Sequence, residues 1–261
     1  MTRHVEFGDT LYRTLNASMA QLFKLGELIQ LSHNAFALAV QNIQQSADEQ
    51  IKLTYPLGVR PDGQAIVGEN QYAKKDIIGH YQHLSAFELA KNGIYQLVTI
   101  TETVLGDCLR LILLQYPKKI GAKRSIALST IFECSSLEGV HLAAISALIN
   151  ELSYKSPREF AEVASEICGF NILEIPAYHQ FIEIKATRDV YIHDRGQANA
   201  IYCNKAGSHA RVQQGQSLPM IPKYFLDSHE FCMRLIESLM AEFHKVWPSQ
   251  EYQAAQEQQK S

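Results

Sequence analysis

Apolar residues recur every seven positions near the start of the chain, at Leu15, Leu22, Ile29, Phe36 and Ile43, with Leu11, Met19, Leu25 and Val40 beside them. That spacing keeps one stripe on one side of a helix. Residues 10–50 are therefore predicted as one long helix or a closely joined pair, with Asp9 as N-cap. A stripe this regular needs a covering surface: the chain's own core, a second copy or another protein. Residues 55–63 hold two prolines and two glycines, so residues 54–70 are expected to be a connection. Residues 72–84 read as a helical approach. It carries His80 and His83, whose spacing suits a metal, but no further Cys or His stands at ligand distance and solvated surface is the expectation.

A broad apolar face then runs through Phe87, Ile94, Leu97, Val98, Val104, Leu105, Cys108, Leu109 and Ile112. It predicts a strong helix, stopped by Pro117. Ser85-Ala-Phe-Glu88 has the capping-box pattern, and either starts this helix or lies inside a longer one. Glu102, Asp107 and Arg110 interrupt the apolar run, which makes it a core helix and not a membrane span. Lys118, Lys119, Lys123 and Arg124 follow as a small basic cluster, either solvated or touching nucleic-acid backbone. Ser135-Ser-Leu-Glu138 marks a helix running to about residue 154. Ser156-Pro157-Arg158-Glu159 marks another that ends at Gly169. Residues 177–193 form a further helix, closed by Gly196, with one more turn over 198–203 and a loop over 206–222. A last helix spans 223–247, with Phe225, Phe231, Leu235, Leu239 and Phe243 inward and Pro248 after it. The expected fold is all-α: an up-and-down bundle over 71–248, with a helical extension and linker over 1–70 and a Gln-rich disordered tail over 249–261.

Composition adds limits. The net charge of −3 excludes a uniformly basic nucleic-acid binder, so any RNA contact has to come from a local patch. Residues 185–211 supply one, with Lys185, Arg188, Arg195, Lys205 and Arg211 against Asp189 and Asp194. The five cysteines are dispersed, odd in number and without a Cys-x-x-Cys pair, and the start of the sequence lacks an apolar signal core. Both fit a cytoplasmic protein with reduced thiols. No Walker loop, dinucleotide fingerprint or His-Glu-x-x-His is present, and nothing calls for a cofactor.

The candidate chemistry lies at Thr187-Arg188-Asp189-Val190-Tyr191-Ile192-His193-Asp194-Arg195-Gly196. Arg is a fixed cation whose planar fork suits phosphate, and His exchanges its proton near neutral pH. The bare Arg-x4–6-His spacing, three gaps allowed, would arise about once by chance in such a chain. The surroundings are more informative: a polar residue after the Arg, apolar residues before the His, then a glycine, then Tyr202. This arrangement resembles the signature of the HEPN superfamily, and the helical pattern is similar over about 73–247. Many members are metal-independent endoribonucleases, and others have lost catalysis. The resemblance implies an active cleft at a homodimer interface, no metal, and products with 2′,3′-cyclic phosphate ends. Here Asp189 stands where many relatives carry Asn, which adds a negative charge beside the phosphate site.

On that expectation His193 moves the proton, Arg188 stabilises the non-bridging oxygens and Asp189, one turn before His193, steadies the imidazole. Tyr191 and Tyr202 stack on a base or close the pocket, and Lys185 and Arg195 contact the RNA. Arg188 and His193 lie about 140° apart around an ideal helix. Convergence then needs either a distorted helix end or a two-fold pair of helices, with Phe181, Ile184 and Tyr191 as the apolar floor of that contact. The ribose 2′-OH is the nucleophile, so RNA and not DNA would be cut. The implied biological role is that of a toxin or defence effector. The alternatives are a non-catalytic dimeric scaffold that binds RNA, a nucleotide or a partner protein such as an antitoxin, and an interaction protein built on the N-terminal stripe. In the plainest reading Arg188 pairs with Asp189, Glu183 or Asp194, and His193 merely favours a helix C-terminus.

Overall fold

In the computed structural model, which describes residues 2–121 and 124–258, the first helix α1 (Thr2–Gln45) is a single 44-residue rod. Lys123 of the basic cluster lies outside the described residues. The heptad stripe behaves differently at its two ends. Phe7, Leu11, Leu15, Met19, Leu22 and Leu25 are buried in the main core, whereas Phe36 and Ile43 are only half-buried. The first half of the supposed extension is therefore part of the bundle, packed against α3 (Leu89–Gln115) and α9 (Pro222–Val246). Beyond it the rod leans on α2 (Lys74–His83), where Phe36 meets Tyr81 at 5.7 Å.

The connection expected over 54–70 is a β-hairpin. Strands β1 (Gln50–Val59) and β2 (Ala65–Ala73) pair antiparallel, Gln50 opposite Ala73, with an irregularity between Pro56 and Gly58. Alternation of Ile51, Leu53 and Tyr55 with polar neighbours was the available signal, and the Pro/Gly content masked it. Pro56 is tolerated because the ribbon has two open edges. Leu57, Val59, Ile66 and Val67 are all exposed.

No capping box forms at Ser85. The segment Leu84–Glu88 is a π turn that joins α2 to α3 in one continuous helix, and the Ser85 hydroxyl meets His33 Nδ1 at 2.7 Å. Helix α3 is the central element. Its face from Ala90 through Leu113 is buried, and Tyr116 precedes the stop at Pro117. Gly93 is needed for close approach to α9: a Cβ there would lie 2.5 Å from the Phe225 ring.

A short α4 (Leu128–Glu133) precedes α5 (Leu137–Ser153), whose N-cap is Ser136, one residue later than expected; its hydroxyl accepts from the Gly139 amide. Helix α6 (Pro157–Cys168) has both halves of its capping box. The Ser156 hydroxyl accepts from the Glu159 amide, the Glu159 carboxylate accepts from the Ser156 amide, and Gly169 closes the helix at φ +82°. Helix α7 (Pro176–His193) packs on α3, α9 and the short α8 (Ala200–Ala206).

The disordered tail is also corrected for the residues described. Residues Gln250–Gln258 form α10, docked on α1. Asp9 Oδ1 accepts from the Ser249 hydroxyl at 2.7 Å and from the Glu251 amide at 3.1 Å, Arg13 pairs with Glu251, and Tyr12 meets Tyr252 edge-on. Residues 259–261 lie outside the described residues. Among the described residues the chain is mostly helical, with one small two-stranded sheet. Among the described residues no helix is long and apolar enough to cross a membrane.

Candidate functional site

The motif helix begins at Pro176, whose missing N–H is one of those a helix start leaves unpaired, and buries Tyr178, Phe181, Ile184 and Val190. Its end is built for a sharp reversal. The amides of Asp194 and Gly196 both donate to the Val190 carbonyl, at 2.8 and 3.2 Å. Arg195 sits at φ +52° and Gly196 at φ +82°. A Cβ on Gly196 would come within 2.9 Å of the Tyr191 ring, so glycine is required there twice over. The Tyr191 hydroxyl donates to the Leu218 carbonyl at 2.6 Å, and the Leu218 amide donates to the Gly196 carbonyl at 2.8 Å. These bonds strap the returning loop over the helix end.

Along the exposed side of α7 the charges form a row. Glu102 of α3 accepts from Lys185 through Oε1 and from Arg188 Nη2 through Oε2, the latter at 2.9 Å. Asp189 lies 3.4 Å from Arg188 Nε on one side and 3.4 Å from Lys205 on the other. The Arg188 Nε is buried and, despite that approach, has no hydrogen bond. Arg188, Lys185 and Asp189 are thus brought together, the two cations held by a carboxylate that the sequence showed only as an interruption of the apolar run.

His193 and Arg195 are not drawn into this row. Both side chains are exposed and without a hydrogen bond or ion pair among the described residues. Three expectations fail here for stated reasons. Asp189 does not steady His193, because the two cations beside it take its carboxylate. Tyr202 is no stacking platform: it is 1 % exposed, and its hydroxyl donates to Glu183 at 2.8 Å. Phe181 and Ile184 belong to the internal core, so they cannot floor a contact between copies. Tyr191 is half-buried with its hydroxyl engaged.

Behind the row lies a buried network that sequence reading missed. Glu183, 5 % exposed, does not pair with Arg188. It accepts from the Thr187, Tyr202 and Tyr224 hydroxyls at 2.7, 2.8 and 2.8 Å and from Arg211 Nε at 3.0 Å. Arg211 also lies over the Tyr224 ring at 3.5 Å and donates to the Pro219 carbonyl. Burial, opposed by the Arg211 backbone N–H, pushes the Tyr202 hydroxyl up to about 12. The signal was available in outline: a carboxylate set among Phe181, Ile182 and Ile184 has to be paired if it faces inward. Of the five cations counted in the basic patch, Lys185, Arg188, Lys205 and Arg211 are paired with carboxylates, and Arg195 is not.

His83 lies 3.8 Å from Glu88 and stacks on Phe87. Among the described residues no three His, Cys, Asp or Glu side chains are grouped as metal ligands. Set against protein-family models, curated proteins and solved structures, the chain matches none.

Proposed function

We propose that the chain is a metal-independent endoribonuclease with a HEPN-like bundle, cutting RNA by 2′-OH transesterification in a site shared by two copies. One observation carries this reading. Arg188 is held in place by Glu102 and, among the described residues, its Nη1 has no hydrogen bond, while five residues on the exposed His193 imidazole has no partner among them either. A positioned guanidinium and a free imidazole are the two groups the reaction needs. Their angular separation of about 140° keeps them apart within one copy. A two-fold axis brings His193 of one copy to Arg188 of the other. Ile192 and Ile201, 48 % and 63 % exposed, give that contact an apolar component. His193 then moves the proton and Arg188 meets the developing charge, with Asp189 and Glu102 orienting the guanidinium.

The test is cleavage of a mixed RNA in EDTA. Activity survives chelation, disappears in His193→Ala and falls at least about 100-fold in Arg188→Ala. Mixing the two inactive variants restores activity, because a heterodimer contains one intact composite site. A strictly monomeric wild type, or no recovery on mixing, sinks the shared site.

A second reading has its own observation. Arg188 stands between two carboxylates, Glu102 and Asp189, which repel phosphate. That favours a non-catalytic dimeric scaffold. RNA binding in EDTA with no cleavage at any protein concentration is its signature.

A further inference from the structure

A cavity of about 170 Å³ opens between α3, α5, α6 and α7, beside the charged row. Leu105, Leu152, Phe160 and Phe181 give it apolar and aromatic walls. Glu102 and Lys185 close one end with an acceptor beside a donor. Tyr178 also lines it, but its hydroxyl is spent on the Pro157 carbonyl at 2.6 Å. Glu102 and Lys185 are bonded to each other, but the carboxylate keeps further lone pairs and the ammonium further N–H groups, so the polar recognition available is one acceptor and one donor side by side.

Gly106 of α3 borders the same space. A glycine inside a helix costs stability relative to alanine. Gly93 on the same helix is explained by the Phe225 ring against it. Gly106 has no such neighbour: a Cβ there would meet nothing within 4 Å, so the position, on the lining, has room for a larger side chain.

From these observations we infer that the cavity receives a pyrimidine base of single-stranded RNA. An apolar cavity of about 150 Å³ takes a benzene-sized ring, so the space fits one six-membered ring and crowds a purine. The pairing edge of cytosine or uracil sets a hydrogen-bond donor next to acceptors, matching Glu102 and Lys185. Phe160 and Phe181 offer apolar contact to the ring. Glu102 belongs to both places: Oε1 faces the Lys185 end of the cavity and Oε2 holds Arg188. A base seated there leaves its own phosphate close to the Arg188 guanidinium. The choice of RNA as the macromolecule rests on the ribonuclease reading; the pocket's shape and polarity do not.

The experiment is binding of labelled 2′-O-methyl oligocytidine and oligoadenine to the full chain in EDTA, read by anisotropy. These probes lack the attacking hydroxyl, so binding is read apart from cleavage. Oligocytidine binds about tenfold tighter than oligoadenine. Gly106→Leu, which fills the cavity from the helix, and Ser153→Phe, which plugs it from the exposed rim, each bring the ratio near one, with helical content unchanged by circular dichroism. Equal affinities in the wild type, no binding of either probe, or a preference that survives both plugs overturns the pocket. Cleavage of natural RNA without base preference sinks the pocket and leaves the nuclease. A preference without cleavage does the reverse.

Discussion

Arg188 and Glu102 are joined across two helices, Nη2 donating to Oε2 at 2.9 Å, and the other oxygen of the same carboxylate takes Lys185. The bond fixes a cation on α7 to a helix that the main core holds rigid. Both partners remain about a quarter to a third exposed, so the pair contributes only about 1 kcal/mol or less to folding. Its value lies in aim.

Glu102→Gln follows from that. On the ribonuclease reading it lowers the cleavage rate about tenfold, since a misplaced Arg loses part of a preorganised contact. The melting temperature moves by no more than a few degrees. Unchanged cleavage together with a large loss of stability would assign the residue to the fold alone.

Arg211→Met has the opposite profile. It leaves the Glu183 carboxylate buried without its cation, a defect worth about 3 kcal/mol. For a chain of this size that lowers the melting temperature by roughly 8 °C. Calorimetry checks it, and a shift under 2 °C would show that the three hydroxyls around Glu183 suffice.

Docking of α10 depends on pH through Asp9. Burial works to raise that carboxyl, but hydrogen bonds from Ser249 and from the Glu251 and Gln250 amides outweigh it and hold it below its ordinary 3.8. A depressed carboxyl contributes stability that is fully present above its unfolded value and is lost as pH falls through its folded value. Proteolysis of the last ten residues therefore accelerates only below about pH 4. In Asp9→Asn the rate changes much less with acid, because that position no longer titrates.

Gly196→Ala tests the helix end. The left-handed backbone costs an alanine about 1–2 kcal/mol, and contact with Tyr191 adds to that. Thermal melts report the loss. Proton NMR reports displacement of the Tyr191 ring and of the His193 imidazole two residues beyond it. A native-like spectrum would show that the turn tolerates a side chain.

How much of this was legible in the sequence depends on what kind of signal each part leaves. Helices α6 and α7 were readable because their limits are local chemistry: the Ser156/Glu159 box, Pro157, Pro176, Gly169 and Gly196. The hairpin was lost because its alternation is short and broken by Pro56 and Gly58. Helix α10 was lost because its polar residues look solvated until Asp9, Arg13 and Tyr12 are placed beside them, more than two hundred residues away in sequence. The site divides the same way. Arg188 and His193 stand in one short run, while Glu102, the residue that positions Arg188, is 86 positions distant and carries no local mark.

The contact between Arg13 and Glu251 spans 238 positions. During synthesis, α1 therefore leaves the ribosome long before α9 and α10 exist to cover it. Leu11, Leu15 and Leu22, fully enclosed in the folded chain, have α3 beside α1 by mid-synthesis but lack the cover that α9 supplies until it emerges. A nascent copy truncated before α9 presents a sticky apolar ridge to chaperones and to its neighbours.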